Sequence, residues 1–231
     1  VKTAFLSKTV KENVYIYPPE GVICKKGHIL KLQKALYGLR QSSRCWNDEI
    51  NSFVVLMLGF TRSEIDFCLY FKRDGIDTTY LLLFVDDICL GSTNPKLLEK
   101  YIKGLTIKFD IKDLGTLTCF LGIEVDYNEE NHLIKLSQKE YISKLLKRFG
   151  MENCKPKSTP IDLKLKLDIE EVKSESSASQ MREIVGCLMF LMLGTRPDIS
   201  YSVNYFARFQ DKGTRKMIEY VKRILRYLKE T

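Results

Sequence analysis

The sequence predicts an α+β first part followed by an all-helical second part. Three observations carry this reading. Apolar runs between residues 68 and 91 are separated by connections of two or a few residues, the spacing of antiparallel hairpins. Around them, apolar residues recur at helical spacing, as at Trp46, Ile50, Phe53, Val54 and Met57. Beyond a polar stretch at 155–180, every apolar pattern is helical.

Taken in order, Val1–Leu6 is short and mostly apolar and reads as a strand or its end. Tyr15–Gly21, with Pro18 and Pro19, breaks regular structure. A helix is expected from Ser42 to Leu58, with Gly59 at its C-cap. Strands follow at Cys68–Lys72 and Thr79–Val85 across the turn Arg73-Asp74-Gly75, and a third at Ile88–Gly91 is joined by Asp86-Asp87 alone. Pro95 opens a helix through Phe109, because a proline's absent N–H costs nothing in a first helical turn. Leu117–Tyr127 and His132–Leu136 read as strands, and Ser137 with Glu140 as a capping box for a helix to Phe149. Lys155–Gln180, with Pro156, Pro160 and a serine-rich patch, reads as a linker. Helices are expected at Met181–Leu193, Asp198–Phe209 and Thr214–Lys229.

Composition excludes more than it assigns. With 45% hydrophobic and 29% charged residues the chain is ordinary for a globular protein. A net charge of +8 favours polyanionic partners. The longest apolar stretches, Val185–Leu193 and Leu81–Val85, are too short for a membrane span, so no membrane partner is expected. The seven cysteines (24, 45, 68, 89, 119, 154 and 187) form no CxxC pair and read as reduced, buried thiols of an intracellular protein. The chain opens on Val1 without a signal-peptide pattern and reads as a piece of something longer.

The sharpest local feature is Asp86-Asp87, set inside Leu81-Leu82-Leu83-Phe84-Val85 and Ile88-Cys89-Leu90. Two adjacent carboxylates repel each other unless a cation or donors neutralise them. A hard divalent cation such as Mg2+ suits oxygen ligands, and two such ions could activate a hydroxyl and stabilise a leaving phosphate oxygen. A water-exposed Asp-Asp turn that holds no metal fits these residues as well.

The surrounding strings are informative. Phe84-Val85-Asp86-Asp87 resembles the aromatic-x-Asp-Asp box of reverse transcriptases. Val1-Lys2-Thr3-Ala4-Phe5-Leu6, Ala35-Leu36-Tyr37-Gly38-Leu39-Arg40-Gln41 with Arg44-Cys45-Trp46, Phe120-Leu121-Gly122-Ile123, and Gly186-Cys187-Leu188-Met189 with Thr195-Arg196-Pro197-Asp198 are similar, in order, to copia-type retrotransposon polymerases. Leu225-Arg226-Tyr227-Leu228-Lys229 also resembles them.

The resemblance implies RNA-directed DNA polymerisation on a palm, an antiparallel sheet with helices on one face, over 1–136. A helical thumb/connection region over 137–231 would follow. It implies Mg2+ or Mn2+ at Asp86 and Asp87 as catalytic and metal-binding residues. Thr3 and Ala4 would offer backbone amides to the triphosphate, Phe5 would sit under the incoming sugar, and Gln41 would contact the nucleotide. Phe5 as core packing, Gln41 as a polar helix-start residue and Trp46 as core remain alternatives. The implied partners are an RNA template, a DNA primer, deoxynucleoside triphosphates and the rest of a Pol polyprotein, including fingers, RNase H and integrase. The implied location is cytoplasmic, in a virus-like particle. In such polymerases a metal-binding aspartate immediately precedes the Val-Lys-Thr-Ala-Phe string, and here that string begins the chain. The chain alone is therefore expected to be inactive or nearly so.

The last helix sets an apolar stripe (Met217, Val221, Ile224, Leu228) beside a cationic row, Arg215, Lys222, Arg226 and Lys229. The helix after Ser137 adds Lys139, Lys144, Lys147 and Arg148. Such rows can follow a phosphate backbone, although a solvated face with Glu219 pairing locally fits the same residues. The alternatives to a polymerase segment are a nucleic-acid-binding module without chemistry and an unrelated Mg2+-dependent phosphotransferase.

Overall fold

The computed structural model describes residues 1, 4–6, 10, 12–23, 25, 27–162 and 175–231, which form two compact units, Val1–Thr116 and Leu117–Thr231.

In the first unit, strands β1 (Tyr15–Ile16) and β2 (Leu30–Lys31) pair as a short ribbon. The main sheet is fully antiparallel, in the order β3 (Thr61–Arg62), β4 (Leu69–Asp74), β5 (Asp77–Phe84) and β6 (Asp87–Ser92). Alternation along β5 buries Thr79, Leu81 and Leu83 and exposes Tyr80 and Phe84, as a sheet covered on one face requires. The cover is helical. Trp46 and Ile50 of α1 (Ser42–Ser52), Val54 of the π-helical turn Phe53–Met57 that continues it, and Tyr101 and Leu105 of α2 (Pro95–Lys108) pack with Tyr70, Leu81 and Leu83 in one core. The expected antiparallel sheet with helices on one face is therefore present. Truncating a fully buried side chain such as Leu81 to alanine would cost about 2–5 kcal/mol. The α2 start is as expected: Pro95 opens it, and the Asn94 side chain accepts from the Lys96 amide at 3.0 Å.

Three local expectations are corrected here. Ala4–Leu6 is a 3-10 turn, not a strand. The β4–β5 connection is Gly75-Ile76, with Gly75 in the left-handed region at φ +66°, while Asp74 still pairs with Asp77. The strand after Asp86 begins one residue early: Asp87 pairs with Phe84, which leaves Val85-Asp86 as the connection.

In the second unit, β7 (Cys119–Phe120), β8 (Ile123–Asn128) and β9 (Leu133–Ser137) form an antiparallel sheet. The single strand expected over Leu117–Tyr127 is broken at Leu121-Gly122, where φ is +52° and +79°. Positive φ at both positions is the signature of a tight hairpin turn, which glycine accepts and leucine resists. The helices are α3 (Lys139–Arg148), α4 (Glu175–Gly194), a 3-10 turn at Pro197–Ile199, α5 (Ser200–Ala207) and α6 (Arg215–Leu228). Their core joins Leu145, Met181, Ile184, Val185, Leu188, Leu191, Val203, Phe206, Met217, Val221, Ile224 and Leu228. Helix α4 starts inside the expected linker, whose residues 163–174 lie outside the described residues.

The capping box is not formed. Ser137 Oγ donates to Glu124 Oε2, and the Glu140 amide donates to Glu124 Oε1, each at 2.7 Å. A carboxylate from β8 thus serves the first turn of α3, and the Glu140 amide chiefly holds its pKa below the usual glutamate range. The thiol expectation also needs correction. Cys68 and Cys119 are exposed and Cys45, Cys89, Cys154 and Cys187 only half-buried, although all six are free; Cys24 lies outside the described residues.

Candidate active site

The connection between β5 and β6 is short because two residues suffice to reverse a twisted strand pair. Its first residue, Val85, has φ +55°, a conformation that a β-branched side chain adopts at a cost of order 1–3 kcal/mol. Asp86 is half-buried and Asp87 exposed, and among the described residues neither carboxylate has a hydrogen-bond or ion-pair partner. The backbone around them is anchored instead. Trp46 Nε1 donates to the Val85 carbonyl at 2.5 Å, and the Val1 nitrogen donates to the Asp86 carbonyl at 2.6 Å.

Two adjacent carboxylates on a rigid turn are the donor set a hard cation prefers. Among the described residues, however, no group of three His, Cys, Asp or Glu side chains is placed to hold a metal. The pair fits the chemistry of a divalent cation but supplies only part of a coordination shell.

The other expected site residues fall into distinct settings. Phe5 is half-buried beside Tyr37, ring centroids 4.7 Å apart. Ala4 is buried at the edge of the core, Gln41 stands at the N-cap of α1 without a side-chain cap bond, and Thr3 lies outside the described residues. Trp46 is only 3% exposed and packs edge-on against Phe109 at 5.3 Å, which identifies it as core. Its role as a hydrogen-bond donor to the aspartate turn has no sequence signature, because Trp46 and Val85 are 39 residues apart.

The cationic rows divide by what they touch. On α3, Lys147 is exposed without an ion pair among the described residues, Lys144 pairs weakly with Glu140 at 3.3 Å, and Arg148 pairs with Glu183. On α6, Arg215 is exposed and Lys222 half-buried. Arg226 Nε instead donates to the Lys155 carbonyl at 2.6 Å, and Lys229 Nζ to the Cys154 carbonyl at 2.9 Å. Arg223, which sequence reasoning passed over, donates to the Thr159 carbonyl and hydroxyl at 3.2 and 2.9 Å. Arg223 and Arg226 of α6, with Lys229 at its C-cap, thus strap the segment 154–159 to the helix.

Asp198 is a second place where sequence reasoning stopped short. Its carboxylate receives both Arg196 Nε at 3.0 Å and Nη2 at 2.7 Å, plus the Tyr227 hydroxyl at 2.8 Å. The Arg196 guanidinium chiefly holds Asp198 below the ordinary carboxylate range.

A family described as reverse transcriptase (RNA-dependent DNA polymerase) matches residues 1–163. The chain is 38% identical over its whole length to the retrovirus-related Pol polyprotein from transposon RE1 of Arabidopsis thaliana, covering 16% of that protein. It is also 38% identical over its whole length to the corresponding polyprotein from transposon TNT 1-94 of Nicotiana tabacum, covering 18%. It is 31% identical to a putative transposon Ty5-1 protein of Saccharomyces cerevisiae, covering 75% of that shorter protein. The chain therefore spans less than a fifth of the two plant polyproteins. No solved structure matches it.

Proposed function

The chain belongs to the reverse transcriptase (RNA-dependent DNA polymerase) family, and we propose that it is the segment of a copia-type retrotransposon Pol polyprotein that carries the Asp86-Asp87 part of the polymerase centre. The observation that carries this reading is the turn itself: two carboxylates without protein partners among the described residues, on a backbone held at both connecting carbonyls. A charge pair kept free of protein donors is costly unless a cation completes it.

In this reading residues 1–136 serve as palm and 137–231 as thumb/connection. That division is functional and rests on the family, whereas packing divides the chain after Thr116. Asp86 and Asp87 hold a divalent cation, Mg2+ or Mn2+, whose positive charge would stabilise phosphate oxygens during nucleotidyl transfer. Phe5, with the Tyr37 ring tilted against it, offers an aromatic wall to the incoming sugar, and Gln41 a polar contact to the nucleotide. Lys144, Lys147, Arg215 and Lys222 are the cations best able to follow a template–primer backbone. RNA template, DNA primer, nucleotides and the remaining polyprotein are the partners, and a cytoplasmic particle the setting. Among the described residues no helix is long and apolar enough to cross a membrane.

Because only two carboxylates meet among the described residues, the chain alone should hold the cation weakly and extend primers poorly or not at all. The same observation favours a second reading, a nucleic-acid-binding module without chemistry. Paramagnetic broadening by Mn2+ separates them. Amide resonances of residues 85–88 should broaden first, and Asp86→Asn should abolish the effect. Broadening that ignores this turn would leave the second reading.

A further inference from the structure

Trp46 is the sole tryptophan of the chain, and its indole N–H is spent on the Val85 carbonyl rather than on a neighbour in α1. The consequence follows from peptide planarity. The Val85 carbonyl lies in one plane with the Asp86 nitrogen and Cα, and the Asp86 carbonyl in one plane with the Asp87 nitrogen and Cα. The φ and ψ of Asp86 are the angles between these two planes. Trp46 holds an oxygen of the first plane and the Val1 nitrogen an oxygen of the second. With an oxygen of each plane held, the swing of φ and ψ at Asp86 is restricted, and its side-chain torsions carry most of the remaining freedom.

The indole is a rigid anchor for this purpose. Its ring is buried, is packed edge-on against Phe109, and belongs to the core with Ile50, Leu81 and Leu83. Leu83 lies on β5 two residues before Val85, so the core fixes the strand and the indole fixes the turn that leaves it. The turn needs such a hold because Val85 is in the left-handed region, where a β-branched residue persists only if its surroundings over-determine it.

We propose that Trp46 is a positioning residue for the Asp86-Asp87 centre, its indole N–H fixing the Val85–Asp86 peptide plane and so the direction of the Asp86 carboxylate. As a statement about cation binding, this rests on the reading of the turn as a metal site; as a statement about the turn's backbone, it does not.

The test uses the full chain and the variant Trp46→Phe, which keeps an aromatic ring in the core and removes the N–H. Amide exchange is followed at Asp86 and Asp87, and Mn2+ affinity by relaxation broadening. The expected result is an unchanged far-ultraviolet spectrum, roughly tenfold faster exchange at the Asp87 amide, which pairs with Phe84 across the turn, and roughly three- to tenfold weaker Mn2+ binding, in line with losing one hydrogen bond. Unaltered Asp87 exchange in folded Trp46→Phe overturns the proposal. If wild type and Asp86→Asn bind Mn2+ alike, the metal reading fails, yet faster exchange in Trp46→Phe still supports the positioning role. Should Trp46→Phe fail to fold, the wild-type indole N–H decides. Exchange as slow as that of the Asp87 amide supports the anchor, and exchange at the rate of a free indole overturns it.

Discussion

Replacing Arg226 with methionine separates two roles that the sequence cannot. On a helix wheel Arg226 belongs to a cationic row fit for phosphates, but its Nε donates to the Lys155 carbonyl at 2.6 Å. Methionine keeps most of the aliphatic stem and removes the donor. A hydrogen bond contributes about 0.5–1.5 kcal/mol, or about 1.5–3 kcal/mol when one group is charged, so at a partly solvated site the loss is roughly 1–2 kcal/mol. With a urea slope of about 2 kcal/mol/M, the unfolding midpoint should fall by roughly 0.5–1 M. Meanwhile the salt dependence of duplex DNA binding should keep its slope, because no phosphate contact is lost. Lys147→Met is the opposite case: Lys147 is exposed without an ion pair among the described residues, so its midpoint should hold and its slope fall by about 0.9, the value of one phosphate contact. An Arg226→Met protein with an unchanged midpoint and a slope reduced by about one would refute the strap.

Three further outcomes are expected. Gly213→Ala places a Cβ 2.4 Å from the Ala178 Cα, an overlap with backbone that no rotamer relieves, and should lower thermal stability by more than about 2 kcal/mol. Val85→Gly removes left-handed strain of about 1–3 kcal/mol against about 0.5–1 kcal/mol of added chain entropy, so its melting temperature should hold or rise. Asp198 is more acidic in the folded chain than a free aspartate, so its stabilising contribution is complete above the unfolded pKa of about 3.9. It is lost as pH falls through the lower folded value, and Asp198→Asn should flatten that acid limb in a pH series of denaturant melts.

The sheet-and-helix plan was legible because its signals are local: apolar runs with short connections around β5, helical spacing in α1 and α6, and Pro95 at the start of α2. What was misplaced lies at turns, where one residue of register depends on pairing across the strands. Phe84 pairs with Asp87, which moves the connection to Val85-Asp86, and Leu121 enters a left-handed turn that its side chain disfavours. The capping box failed for a non-local reason, since Glu124 accepts from the Glu140 amide that the Ser137 hydroxyl was expected to serve. The aspartate pair was legible by type, and the family strings supplied its meaning. Its support was not, because Trp46 reads as an ordinary core residue until the fold brings its indole to Val85. Likewise the α6 cations looked equivalent until carbonyls of 154–159 claimed Arg223, Arg226 and Lys229.

The central claim, that the Asp86-Asp87 turn belongs to an RNA-directed DNA polymerase, is tested most directly by primer extension on an RNA template with a polypeptide that joins this chain to the rest of its Pol polyprotein. DNA synthesis that falls to background in Asp86→Asn, with binding of the RNA–DNA hybrid unchanged, is the predicted result. Synthesis undiminished by Asp86→Asn would contradict it.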